Sequence, residues 1–335
     1  MGKILRYVAA YFLIGITMVF LLSACGFTSK DNSSESSDTL SADSCNVVQH
    51  ASGETCVPTN PQRIATLTLQ SLSNAIVLGI QPVGSMHHPL GIMQSETGRI
   101  FPEYTPNKIE EIEPLGRFGE PSLETLSLLN PDLILGSQWN STSYPLLSEI
   151  APTVLYDWQG TGTWRRYFNF MAQTLNREDE AEQAWNDYYD RVEELKAALG
   201  DSYVDKKVSF VYFCCDGFGS QAPESFMGSI LEDIGLQRPP SQSQASPPYG
   251  EILLSEEKLP EADGDVIFLA AYYDNDQAYL NRIIEKPLWK QLKAVQQNRV
   301  YIVNAETWRG GNLLAAHAVI DDLYKYLLDE PSSNT

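Results

Sequence analysis

Aromatic and arginine side chains stand just beyond the β-rich runs of this chain. Arg117 precedes a short helix-like segment, Trp139 follows DLILG, Trp158 follows TVLY, and Asp216 follows the strand that ends in FCC. Tyr272 and Tyr273 follow DVIFLA, and Trp308 and Arg309 follow VYIVNAE. In open α/β folds the carboxyl ends of strands converge on the ligand crevice. Ring faces and guanidinium forks placed there suit a large, partly planar anion through stacking, cation–π contact and charge-assisted hydrogen bonds. Chemistry of the bond-breaking kind lacks its motifs: the chain contains no GxSxG, no GxxxxGK[ST] and no HExxH. The reading is therefore a binding protein and not an enzyme. Trp164 and Trp185 are assigned to packing instead, because both sit inside helical patterns.

The elements that must position these loops alternate in type from Arg63 onward, which is the signature of α/β layers. Strands are predicted at IATL, DLILG, TVLY, VSFVYF, DVIFLA and VYIV, with short helices at Ser71–Leu78, Met227–Ile234, Pro287–Val295 and Asn312–Leu328. Between the two alternating regions lies EDEAEQAWNDYYDRVEELKAAL, Glu178–Leu199, a long helix without internal Gly or Pro that Gly200 ends. The fold class is α/β, with two Rossmann-like lobes joined by a single long α-helix: an N-terminal lobe over 45–175, the connecting helix over 176–200 and a C-terminal lobe over 201–330. Ligand is expected between the lobes, with small hinge motion.

A repeated phrase supports two lobes. Ser122-Leu123-Glu124-Thr125-Leu126 leads to Asp132-Leu133-Ile134, and 133 residues later Ser255-Glu256-Glu257-Lys258-Leu259 leads to Asp265-Val266-Ile267. Each copy reads as a short capped helix feeding a buried strand, with Glu124 and Glu257 at the same place. From the residues alone, both acids suit the positive end of a helix.

Residues 1–24 read as an export signal: Lys3 and Arg6 precede an apolar run that ends in Leu22-Ser23-Ala24-Cys25. That ending resembles a lipobox, in which Cys25 becomes the lipidated first residue. Residues 25–44 are polar and read as a disordered tether. A formal charge of −20 argues against nucleic acid and anionic lipid as partners. In an exported chain Cys45 and Cys56, flanking a hairpin with Gly53 at its turn, are the expected disulfide, whereas the adjacent Cys214 and Cys215 read as a buried thiol pair, with a vicinal disulfide or a metal trap as the alternatives. Of the four histidines, His87 and His88 are adjacent in one loop and point apart, so no metal site is assigned to them.

NPQRIATL, LGIQPVG, EPSLETLSLLNPDLIL, FMGSILEDIGLQRP and PLWKQLKAVQQNRVYIVNAETW, in this order and spacing, resemble the periplasmic-binding-protein family for ferric siderophores and cobalamin. The resemblance runs from Pro61 to Leu328 and implies the substrate-binding subunit of an ABC importer, a lipid-anchored monomer without a cofactor of its own. It implies an Fe(III)-siderophore ligand held by Arg117, Trp139, Trp158, Tyr212, Tyr272, Trp308 and Arg309. It also implies that Glu124 and Glu257 dock onto arginines of a membrane permease, which works with its ATPase. Haem, cobalamin or a bare metal ion is the alternative ligand within that class, and a tethered sensor or hydrolase the alternative outside it.

Overall fold

A computed structural model describes residues 45–86, 101–106, 112–117, 119–214, 217–245, 250–271 and 280–328. The expectations for the signal segment, the tether, Cys25, His87, His88, Cys215, Asp216, Tyr272 and Tyr273 fall outside the described residues. Everything described lies within one compact unit, Asp43–Thr335.

The chain opens with a hairpin of β1 (Cys45–His50) and β2 (Gly53–Pro58), whose register runs from Cys45↔Pro58 to His50↔Gly53. The turn residues are thus Ala51 and Ser52, and Gly53 begins the second strand. A disulfide joins Cys45 and Cys56 with Cα atoms 5.5 Å apart.

The first sheet is built from β3 (Ile64–Thr66), β4 (Gly84–Ser85) and β5 (Glu113–Pro114), then, past the small ribbon β6 (Gly116–Arg117) and β7 (Glu120–Pro121), from β8 (Leu133–Ser137) and β9 (Thr153–Tyr156). Its order is β5-β4-β3-β8-β9 with every pairing parallel. Every residue of β3 and β8 is buried, as expected of strands covered on both faces.

The second sheet differs. It contains β10 (Val208–Cys214), β11 (Gly217–Gln221), β12 (Glu251–Leu254), β13 (Val266–Ala271) and β14 (Val300–Asn304) in the order β12-β11-β10-β13-β14. The β10–β13–β14 half is parallel, but β10–β11–β12 is antiparallel. Two residues separate β10 from β11, far fewer than a parallel crossover requires. Gly217-Phe218-Gly219 opens β11, where Gly219 lies under the Tyr212 ring of its cross-strand partner and needs no side chain to be buried.

The connecting helix spans Glu178–Leu199, with Gly200 as its C-cap, and buries Ala181, Tyr188, Val192, Leu195 and Leu199. It is not alone at the junction. The last helix, Leu313–Leu328, packs against it and against helix Leu69–Val77 of the first lobe. One buried cluster accordingly runs from Ile64 and Leu135 through Trp164 and Tyr188 to Phe268 and Ala316. Arg165 tightens the joint: its guanidinium lies 4.5 Å from the Trp164 ring and pairs with Asp233, which also accepts the Tyr188 hydroxyl at 2.6 Å. Burial, followed by that carboxylate, holds the Tyr188 hydroxyl well above its ordinary pKa.

Two expected helices are changed by proline and by breaks. The second Ser-x-Glu unit is a 3-10 helix, Glu256–Ala262, because Pro260 lacks the N–H an α-helix would use there. Pro287–Val295 divides into the short helices Pro287–Lys290 and Lys293–Gln296.

Candidate functional site

A cleft open to solvent lies where strand ends of the two sheets meet. The first lobe supplies Thr68 and Gln70 after β3, Pro102 and Tyr104, Ser137 and Trp139 after β8, Trp158 after β9, and Tyr167. The second lobe supplies Ala305, Glu306, Arg309 and Gly310, all from the single turn after β14.

Trp139 is carried by a 3-10 turn, Gln138–Asn140, in which Asn140 Oδ1 accepts the Ser137 backbone N–H at 3.2 Å. Trp139 is 57% exposed, a large apolar side chain left to solvent on the cleft wall. Trp158 is fixed by Gln138, whose Oε1 accepts the Trp158 N–H at 2.7 Å while its amide donates to the Trp158 carbonyl. Behind it stands Tyr167, edge-on to Trp158 with centroids 5.9 Å apart and stacked on Tyr156 at 4.3 Å. The Tyr167 hydroxyl donates to Gly136 O at 3.2 Å and meets Ser71 Oγ; burial pushes its pKa up to about 12. It is a neutral support at any physiological pH.

Across the cleft, Arg309 lies with its guanidinium 4.1 Å from the Tyr212 ring centroid, and its Nη2 is 3.9 Å from Glu251 Oε1. Tyr212 itself is 2% exposed and donates to Glu251. Glu306 shares the cleft face with Arg309, three residues on. Burial, helped by Glu103, raises the Glu306 pKa. The lobes meet at this turn: Gln70 Nε2 donates to Gly310 O at 3.3 Å and Asn312 Nδ2 to the Tyr104 hydroxyl at 3.2 Å. Gly311, at φ +61, packs so closely that a Cβ there would sit 2.9 Å from Trp158.

Of the residues singled out in the sequence, the structure brings Trp139, Trp158 and Arg309 to one cleft. It does not bring Trp308 or Tyr212 to the wall. Trp308 is fully buried, stacked on Phe268 at 4.4 Å and on Phe210 at 5.7 Å, with Nε1 donating to Asp322 at 2.7 Å. One helical turn, Ala305–Trp308, points residues 306 and 309 at the cleft and so turns 308 inward. Tyr212 serves as the platform beneath Arg309. Arg117 is exposed on the β6–β7 ribbon and does not line the cleft. Gln70, Tyr104 and Glu306 line it without having been singled out; the spacing of three between Glu306 and Arg309 was the available signal for one of them. Among the described residues no cluster of His, Cys, Asp and Glu could hold a metal ion.

Glu124 and Glu257 are both exposed. Glu124 lies in the first turn of helix Leu123–Leu129, whose cap Ser122 accepts the Thr125 N–H at 3.2 Å. Neighbouring Glu256 is instead ion-paired with Lys286, and neither Glu124 nor Glu257 has an ion pair among the described residues.

A family model described as periplasmic binding protein matches residues 94–307. The chain belongs to this family. A probable siderophore-binding lipoprotein of Bacillus subtilis, YfiY, is 31% identical over 92% of this chain and 95% of its own length. The achromobactin-binding periplasmic protein of Dickeya dadantii is 31% identical over 78% of this chain and 85% of its own. Among solved structures, Staphylococcus aureus SirA complexed with staphyloferrin B superposes with a TM-score of 0.70 at 30% identity, covering 84% of this chain and 98% of SirA. The helix-joined, two-sheet architecture of this family member is thus that of a periplasmic binding protein.

Proposed function

We propose that the chain is the substrate-binding subunit of an ABC importer, capturing a ferric siderophore between its lobes and handing it to a membrane permease. The observation that carries this reading is the half-exposed Trp139 ring facing, across the same cleft, an Arg309 guanidinium pre-positioned on Tyr212. Trp139 and Trp158 stack on the organic shell of the chelate. Arg309 neutralises and hydrogen-bonds its anionic donor groups, and Tyr104 and Gln70 complete the polar rim. Iron is cargo throughout and keeps the chelator's own ligands. Trp308, Tyr212 and Tyr167 act through the wall they support. Relatives named as a probable siderophore-binding lipoprotein and an achromobactin-binding periplasmic protein support the ligand class.

Export with lipidation at Cys25 places the protein outside the cytoplasmic membrane, and Glu124 and Glu257 supply the permease contacts, one from each lobe. Two carboxylates held apart on one body fix orientation as well as affinity.

Tryptophan fluorescence of the chain from Gly26 onward tests the reading, with titrations of ferric hydroxamate, ferric catecholate, ferric citrate, haem and cobalamin in parallel. Saturable quenching by a ferric chelate, lost in Trp139→Phe combined with Trp158→Phe, is the expected result. Saturation by haem, by cobalamin or by bare iron, with no ferric chelate binding, would overturn the siderophore assignment.

A further inference from the structure

Glu124 and Glu257 occupy equivalent places in the internal repeat, so by themselves they present one foot twice. A partner with two basic sites that are similar but not identical would accept the chain with its lobes in either order. The surroundings of the two glutamates are not alike. In the first lobe Glu124 shares a helix face with Leu128, one turn further on and 81% exposed. In the second lobe the repeat puts Glu261 at that place and Lys258 where the first has Thr125, both Glu261 and Lys258 exposed. Pro260, in the place of Ser127, turns the whole second foot into a 3-10 helix. The first foot is therefore one carboxylate beside a bare leucine, and the second exposes three charges, Glu257, Lys258 and Glu261, with Pro260 among them.

We propose that Leu128 is an orientation key for docking: it enters an apolar socket beside a cationic side chain of the permease, while the Glu257 foot meets a polar, basic surface. The proposal rests on the docking role given above to the two glutamates. A single exposed leucine is ordinary. This one lies a turn away from a carboxylate that has no ion pair among the described residues, on a chain of formal charge −20, so the complementary surface must bring the cation. The same charge disfavours an anionic lipid headgroup layer as what Leu128 enters. The key separates the two docked orders because the wrong order would press Leu128 against the basic surface meant for Glu257 and Glu261.

The test uses cells lacking this chain, complemented with the full-length protein, and measures uptake of 55Fe(III) bound to chelators from their own iron-starved supernatant. Each purified variant is titrated with the same ferric fraction. Leu128→Glu, which copies the second foot onto the first, is expected to cut uptake about tenfold, the worth of one buried leucine side chain, with chelate affinity unchanged. Leu128→Met is expected to retain uptake. Glu261→Leu, which makes both feet carry a leucine, is expected to cost roughly half, as the two docked orders become equally populated. Wild-type uptake with Leu128→Glu while Glu124→Ala and Glu257→Ala abolish it overturns the key and leaves the docking role standing. Wild-type uptake in all three overturns both.

Discussion

The two lobes build their halves of the cleft by different means. The first lobe contributes from several separate strand ends, and its contributions are rings and neutral polar groups: Trp139, Trp158, Tyr104 and Gln70. The second contributes from one turn after β14, and its contribution is charge: Glu306 and Arg309. A wall assembled from many elements loses little when one residue is removed, because the other rings and polar groups remain in place. Charge carried on one turn is lost at a stroke. The difference assigns affinity for the chelate's shape to the first lobe and recognition of its charge to the second.

The sharpest way to break this division is Arg309→Ala. A hydrogen bond to a charged group contributes about 1.5–3 kcal/mol, so the ferric-chelate Kd should rise by about tenfold to a hundredfold. Trp139→Ala should raise it by only about tenfold or less, since one stacking face contributes about 1 kcal/mol. Equal losses in fluorescence or calorimetric titration would mean that the lobes do not divide the task.

Next in size is a substitution remote from the ligand. A Cβ at Gly219 would lie 2.1 Å from the Tyr212 ring, so Gly219→Ala must displace the platform under Arg309. The expected outcome is a loss of roughly 1–3 kcal/mol of stability from overpacking, with a several-fold weaker chelate affinity on top. Thermal unfolding and titration of the same sample check it. Unchanged affinity would mean that Arg309 is positioned without Tyr212. In the same lobe, Gly311→Ala crowds Trp158 of the first lobe and strains a backbone at φ +61, and should weaken binding by a smaller factor of about two to five.

Most of the frame on which this comparison rests was legible from side-chain pattern. Long apolar runs such as DLILG and DVIFLA are buried strands, and Glu178–Leu199 is the connecting helix to the residue. β11 was not legible, because Gly217-Phe218-Gly219-Ser220-Gln221 is buried through the Tyr212 ring lying over Gly219, a tertiary fit that no periodicity records. The cleft was half legible for a similar reason. Looking past strand ends finds Trp139, Trp158 and Arg309, but the inward turn of Trp308 depends on a single helical turn. Tyr104 comes from a segment with no strand pattern before it. The same limit applies to the lobe junction, where sequence spacing shows both the last helix and the connecting helix but not that they pack together.

That junction gives the smallest effect and one that neither lobe owns. His317 of the last helix takes Arg191 Nη1 of the connecting helix at 3.1 Å on its Nδ1, and Arg191 also pairs with Asp321. Burial first and the Arg191 charge second hold His317 below its ordinary value of 6.5, against the opposite pull of Asp321 and Asp187. The unfolded chain therefore takes up the proton before the folded one does. Stability from the neutral ring is present above the unfolded pKa and is lost as pH falls through the window below it. Lowering the pH from about 7 to about 5.5 should reduce the Tm of the wild type more than that of His317→Gln, whose side chain cannot titrate. His50 in the first hairpin is also depressed by burial, so only the difference between the two proteins isolates His317. Parallel pH profiles would show that the proton does not act at the junction, and that the lobes are held by the Arg165–Asp233 cluster and the shared apolar core without it.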